Sequence, residues 1–229
     1  MISIIIPTLN EAGNIERLIN YLKKYGSDNC EIIIADGGST DKTLTIAANT
    51  GVTAVVSPQK GRAAQMNYGA SLAKADILYF IHADTFPPTS FLSDIKKAVD
   101  DGFDFGRYRT KFDSKKIILK LNAFFTRFDL FFCYGGDQTF FITKKIFSQI
   151  GGFDAGMGIM EDYDIVKRAK AVGKYKIMAE TALVNTRKYN TNSWLKVQKA
   201  NYTIVRMYKK GASQQAMAER YKQMLVHIK

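Results

Sequence analysis

Residues 77–81, ILYFI, form an unbroken apolar run that stops at His82, Ala83 and Asp84 and is followed by Pro87 and Pro88. A run this short, with no polar alternation, reads as a strand buried on both faces at the centre of an α/β sheet. Side chains with ligand chemistry then stand at the strand's carboxyl end, the edge at which open α/β sheets hold their ligands. A polar strand end capping a helix over 89–101 accounts for the same residues. The site reading gains from four other polar clusters that fall on the same predicted sheet edge.

The first 101 residues repeat this unit. Strands are predicted over 2–7, 31–35 and 52–57, and helices over 10–25, 42–50 and 61–73. The first helix carries Ile15, Leu18, Ile19 and Leu22 on one face. Strands alternating with helices pair in parallel through right-handed crossovers, which predicts an α/β, Rossmann-like, doubly wound and mostly parallel sheet flanked by helices. After Asp101 the rhythm changes. Strands are expected over 103–112 and 138–143, with an apolar helical or irregular stretch over 114–132 between them. Helices over 144–150 and 161–171, an extended segment over 175–183, and basic amphipathic helices over 193–210 and 213–228 follow. The expected units are therefore 1–101, 102–184 and a basic helical extension, 185–229.

Composition adds limits. With 229 residues, 46% of them hydrophobic, the chain can bury one substantial core. No run is apolar enough over the length a bilayer requires, and Met1 leads straight into a strand, so neither a spanning helix nor a signal peptide is expected. Cys30 and Cys133 lack metal-ligand spacing and read as packing residues, reduced in a cytoplasmic chain. The net charge of +12 is concentrated after residue 184, where ten Lys/Arg meet one acid, Glu219. A basic tail on a near-neutral body suits an anionic partner: phosphates, an acidic membrane surface or nucleic acid. A solvated helix face accounts for it equally.

The clusters define candidate chemistry. Pro7-Thr8-Leu9-Asn10-Glu11 closes the first strand, with Asn10 placed to cap the next helix. Asp36-Gly37-Gly38-Ser39-Thr40-Asp41 closes the second; its glycines expose backbone N–H groups, and Asp36 can accept hydrogen bonds from a base or ribose. Neither a G-x-G-x-x-G nor a Gly-Lys-Ser/Thr ending is present, which excludes nicotinamide and P-loop chemistry. Gly61 and Arg62 open a helix whose N-terminus suits an anion. Glu161-Asp162 opens another helix, either as a functional pair or as acids favoured by the helix dipole.

In register, these clusters resemble the family-two glycosyltransferases, inverting enzymes of GT-A fold that use nucleotide sugars. The matching pieces are PTLNE (7–11), DGGSTD (36–41), KGRAAQMNYGA (60–70), IHADT (81–85), GGDQTFFITKKIFSQIGGFD (135–154) and MED (160–162), in the family's order across about 2–187. The resemblance implies a catalytic domain over 1–184, with a nucleotide-binding half (1–101) and an acceptor half (102–184). It assigns the nucleotide to Pro7, Thr8, Asn10, Glu11, Asp36, Gly38, Gly61, Arg62, Ala83 and Asp84. Asp84 matches the last carboxylate of the family's Asp-x-Asp, which binds a divalent metal, Mn²⁺ or Mg²⁺. His82 replaces the first Asp, and an imidazole suits Mg²⁺ poorly. Asp162 is implied as the catalytic base, with Glu161 beside it. Asp137 and Gln138 are implied on the sugar or acceptor side, and Arg187 and Lys188 in a loop over the diphosphate.

The implied donor is a UDP-sugar ahead of a GDP-sugar, and the acceptor is open, a lipid-linked one included. The apolar stretch over 117–132 reads first as a core helix. Beside basic C-terminal helices it could also meet an anionic membrane surface, making the protein cytoplasmic and peripheral on the inner face. Those helices could equally pair between two chains as a homodimer. The Q-x-x-R-W signature of processive synthases is absent. Three alternatives stay open: a nucleotidylyltransferase, whose Gly-rich Arg/Lys signature is missing here; a basic nucleic-acid-binding module, although the aromatics are not interleaved with Lys/Arg; and, given His82, a non-catalytic relative. No nucleic-acid partner is expected.

Overall fold

The first strand, β1 (Ile2–Thr8), is buried at every position, as its sequence ISIIIPT predicts for a strand covered on both faces. The structure is a computed structural model and describes residues 1–134 and 138–226. After β1 come α1 (Ile15–Gly26), β2 (Cys30–Asp36), α2 (Thr43–Asn49), β3 (Thr53–Val56), α3 (Arg62–Leu72) and β4 (Ile77–Phe80). β1 pairs in parallel with β2 and β4, and β2 with β3. Thr8 stands opposite Asp36 in this register, so the first two clusters emerge side by side.

The second half continues with β5 (Thr85–Phe86), α4 (Phe91–Asp100), β6 (Phe105–Phe112), α5 (Ile117–Phe125), β7 (Phe140–Thr143) and α6 (Lys144–Gln149). It ends with α7 (Glu161–Lys170), β8 (Tyr175–Val184), α8 (Lys188–Thr191), α9 (Trp194–Lys209) and α10 (Gln214–Met224). Among the described residues the strands form one sheet, ordered β3-β2-β1-β4-β7-β6-β8-β5. β7 runs antiparallel to both β4 and β6, and β5 antiparallel to β8, while β6 and β8 are parallel. The parallel half is thus the one read from alternation, and the mixed half begins where that rhythm breaks.

Alternating side chains divide the core between the two faces of the sheet. Ile4, Ile6 and Tyr79 pack with Leu18, Leu22, Phe91 and Ile95 on one face. Ile5, Ile33 and Phe80 pack with Met66, Phe147, Phe153 and Ile165 on the other. α3 lies close to the sheet because Gly69 has no side chain; a Cβ there would fall 2.5 Å from Ile5 Cγ2.

Several expectations are corrected. α1 starts at Ile15, five residues later than the periodicity suggests, because residues 9–14 are bonded into a loop. α5 is not a core helix: Leu119 is its one buried residue, and its apolar stripe faces outward. α9 and α10 pack on each other within the chain through Ile204 and Met217, which also cover Met160 at the start of α7. β5 was not foreseen. Its pairing of Thr85 with Val184 brings the end of β8 beside Asp84, whose carbonyl accepts from the Asn185 amide at 3.3 Å.

Candidate active site

The first two clusters are fastened to each other by side-chain hydrogen bonds, some to side chains and some to backbone amides. Thr8 Oγ1 donates to Asp36 Oδ2 at 2.8 Å, and Asp36 Oδ1 accepts from the amides of Gly38 (2.9 Å) and Ser39 (2.7 Å). The Asn10 amide donates to Ser39 Oγ at 2.8 Å, and its side-chain oxygen accepts from the Thr40 amide at 2.9 Å. The Glu11 amide donates to Thr43 Oγ1 at 2.8 Å. Asn10, at φ 56°, thus joins two loops instead of capping α1. Asp41 is held below the usual carboxylate range, first by the Thr43 hydroxyl and then by the Thr43 and Ala12 amides.

Asp36 is buried, and Ser39 Oγ donates to it as well, at 2.6 Å. It shapes the wall of the neighbouring cavity from behind, so direct contact with a base or ribose requires exchanging one of these bonds. Gln65, to which the sequence reading gave no role, is buried beneath the same wall. Its Nε2 donates to the carbonyls of Thr8 and Ala35, both at 2.7 Å, and ties the ends of β1 and β2 together. An amide set directly among Ala63, Ala64 and Met66 of α3 was the available signal.

These loops enclose a cavity of about 550 Å³, within the range of small-molecule sites. Pro7, Thr8, Glu11, Gly38, Gly61, Arg62, Ala83, Asp84, Arg187 and Lys188 line it, with His82; Asn10 and Asp36 do not. The Arg187 guanidinium bonds both Glu11 oxygens, and its Nε lies 3.3 Å from Asp84 Oδ2. One cation therefore spans two carboxylates at the strand ends. No trio of His, Cys, Asp or Glu able to hold a metal occurs among the described residues. Asp84, with His82 on the same cavity wall, could serve only as one ligand of a divalent ion whose other ligands are phosphate oxygens and water, and its Oδ2 is shared with Arg187.

The second carboxylate pair stands across from this cavity. Met160 adopts a left-handed conformation, φ 71°, that turns the chain into α7. Side chains one residue apart on a helix diverge by roughly 100°, and here they part. Glu161 is 1% exposed and ion-paired with Arg62; apart from that pair, neither of its oxygens has a hydrogen-bond partner among the described residues. Asp162, half-buried, lines a second cavity of about 620 Å³ together with Gln138, Tyr163, Tyr189 and the amides of Asn122, Gln198 and Asn201. Those amides come from α5 and α9, and nothing local in the sequence marks them. Gln138 Nε2 donates to the Cys133 carbonyl; Asp137 lies outside the described residues. Arg62 and Lys188 line both cavities, so the two adjoin there.

A parallel nucleotide-type half continued by a mixed half, with Asp84 just beyond the central strand, is the arrangement of the GT-A fold. The fold is shared with solved structures at low sequence identity. Staphylococcus aureus TarS in complex with UDP-GlcNAc superposes with a TM-score of 0.67 at 17% identity, covering 81% of this chain and 58% of that one. A Pyrobaculum calidifontis mannosyltransferase, PcManGT, in complex with GDP-Man and Mn²⁺, also gives 0.67, at 19% identity over 89% and 61%. Residues 3–157 match glycosyl transferase family 2, and the chain belongs to that family. A PGL/p-HBAD biosynthesis glycosyltransferase of Mycobacterium bovis is 37% identical over 90 residues, 37% of this chain. That match spans 35% of the relative's own length, little more than a third.

Proposed function

We propose that the protein transfers a sugar from a nucleoside diphosphate sugar to an acceptor hydroxyl with inversion at the anomeric carbon. The observation that carries this reading is the meeting of two cavities at Arg62 and Lys188, with Asp84 and Glu11 on one side and Asp162 on the other. The donor would occupy the smaller cavity, its diphosphate near Arg62, Arg187 and Lys188 and its sugar at the junction. Neighbours of the same fold carry UDP-GlcNAc and GDP-Man, which supports a nucleotide sugar here, with a UDP-sugar first.

In the reaction, the acceptor oxygen bonds to the anomeric carbon from the face opposite the diphosphate. The bond from that carbon to the diphosphate breaks, and the acceptor's proton passes to the Asp162 carboxylate. Arg187, paired with Glu11 and Asp84, would turn its guanidinium to the diphosphate and close the site against water. A divalent cation, Mn²⁺ or Mg²⁺, held by Asp84 and the diphosphate, would neutralise charge on the leaving group. Glu161, committed to Arg62, positions that cation-bearing side chain and leaves base chemistry to Asp162. The amide and tyrosine lining of the larger cavity suits a polyhydroxylated acceptor head, including one carried on a lipid.

Asp162→Asn tests the assignment. UDP binding by calorimetry should match wild type, while turnover falls by at least about a hundredfold, the usual scale of a lost general base. Retained turnover in this variant, with loss in Glu161→Gln, would transfer the role to Glu161.

A further inference from the structure

Most helices bury their apolar stripe, but α5 does the reverse. Ile117, Leu121, Phe124 and Phe128 recur at helical spacing, and they are 81%, 50%, 43% and 41% exposed. The side of this segment turned to the protein carries Leu119, Asn122 and Thr126. Thr126 Oγ1 accepts from the Thr110 amide at 2.9 Å, so a structural bond fixes this orientation. The exposed rings support one another, with Phe124 and Phe128 centroids 5.7 Å apart, and Arg127 lies over the Phe124 ring at 3.9 Å. A contiguous outward apolar ridge of this kind marks a surface made for a partner.

Charge selects among partners. The ridge is flanked by exposed Lys115, Lys116, Lys120 and Arg127, and the one acid within it, Asp129, is bonded to Lys170. A second copy laid face to face on this ridge would set these cations against their equals. An anionic lipid surface would meet the cations with phosphates and the aromatic and aliphatic side chains with acyl chains, as interfacial helices do. The α9 side agrees: Leu195 and Tyr202 are 72% and 69% exposed, among Lys196, Lys199 and Arg206. α5 and α9 both wall the larger cavity, through Asn122 and Phe125 on one and Gln198 and Tyr202 on the other. No helix among the described residues is long and apolar enough to cross a membrane.

We infer that the α5 ridge docks on an anionic bilayer, seating the mouth of the Asp162 cavity at the lipid surface, where it takes an acceptor anchored in that bilayer. The docking stands on the ridge alone; the acceptor clause rests on the transfer reaction proposed above.

The test uses the full chain and co-sedimentation with phosphatidylcholine vesicles, with and without phosphatidylglycerol. Wild type should pellet with the anionic vesicles and be released by salt. Leu121→Ser/Phe124→Ser and Lys115→Gln/Lys120→Gln should each weaken binding by on the order of tenfold or more. All these positions are exposed, so unchanged melting temperatures verify folding. Wild-type pelleting that is negligible, or insensitive to both double variants, overturns the proposal. So does a stable solution dimer that the Leu121→Ser/Phe124→Ser change dissociates, since a second copy then covers the ridge. A thermal shift with UDP and with GDP, run in parallel, keeps the readings separate: vesicle binding with no response to either nucleotide upholds docking and refutes the transferase reading.

Discussion

Gln65 holds the floor of the smaller cavity, and its removal has a calculable cost. The residue is 5% exposed and spends both amide hydrogens on the carbonyls of Thr8 and Ala35. Gln65→Leu keeps the volume and deletes both bonds, each contributing about 1 kcal/mol net. Thr8 O retains the Gly37 amide at 2.9 Å, so it is not left bare, and the larger penalty for a wholly unsatisfied carbonyl does not apply there. The expected loss is about 2–3 kcal/mol, or about 5–10 °C in melting temperature for a domain of this size. Gln65→Glu is the sharper variant. It puts an acceptor-only carboxylate against two carbonyls and should cost more than the leucine at neutral pH. Its introduced carboxyl would have a raised pKa, because the ionised form is disfavoured in the fold. Stability should therefore recover in part on acidification, as protonation restores one donor. Urea denaturation at neutral and mildly acidic pH measures both. A leucine variant losing under about 0.5 kcal/mol, below the range of a single net hydrogen bond, or a glutamate variant no worse than the leucine, refutes the two-carbonyl account.

The remaining predictions concern charge. Asp84→Ala should abolish any strengthening of UDP binding by Mn²⁺ in calorimetry while leaving the fold intact; an undiminished Mn²⁺ response removes Asp84 from the metal site. Arg187→Ala should alter stability by less than about 1 kcal/mol, because its pairs with Glu11 and Asp84 are partly solvated. The same variant should lower turnover and raise hydrolysis of the donor, read by product analysis. For Asp41, the lowered pKa means that its contribution to stability is full above the ordinary carboxylate pKa and is lost as pH falls through the lowered value. Asp41→Asn should accordingly flatten the acid limb of a stability–pH profile, and an unchanged limb would show that the loop bonds survive protonation.

What the sequence disclosed follows the range of the interactions that carry it. The parallel half was legible because buried strands and helical spacing are local patterns, and the strand-end clusters announced themselves by breaking those patterns. The contacts that finish the site are not local. β5 has two residues, too few for any period, and its pairing with Val184 and Leu183 depends on a strand about a hundred residues later. Arg187 could be assigned to a diphosphate by resemblance, but its bond to Glu11 bridges 176 positions. The α5 segment misled for a related reason. Its apolar content reads as core, and composition does not state which way a stripe faces when Asn122 and Thr126 take the inner side.

The Arg62–Glu161 pair ties these halves together. The pair adds little stability: the Arg62 side chain is 41% exposed, so water weakens the attraction, while the buried Glu161 carboxylate has given up its hydration. Glu161, almost fully buried with Arg62 as its ion-pair partner, is therefore poorly explained as a stabiliser. Its position explains it better. Arg62 begins α3 in the parallel half and Glu161 begins α7 in the mixed half, so the pair fixes the start of one helix against the start of the other. Asp162, next on α7, is thereby held on the larger cavity while Arg62 remains on both. In the proposed reaction a carboxylate reaching an acceptor and a cation reaching a diphosphate need a set separation, and a directional contact between the two helix starts, anchored on the buried Glu161, supplies it in a way that interchangeable apolar packing does not.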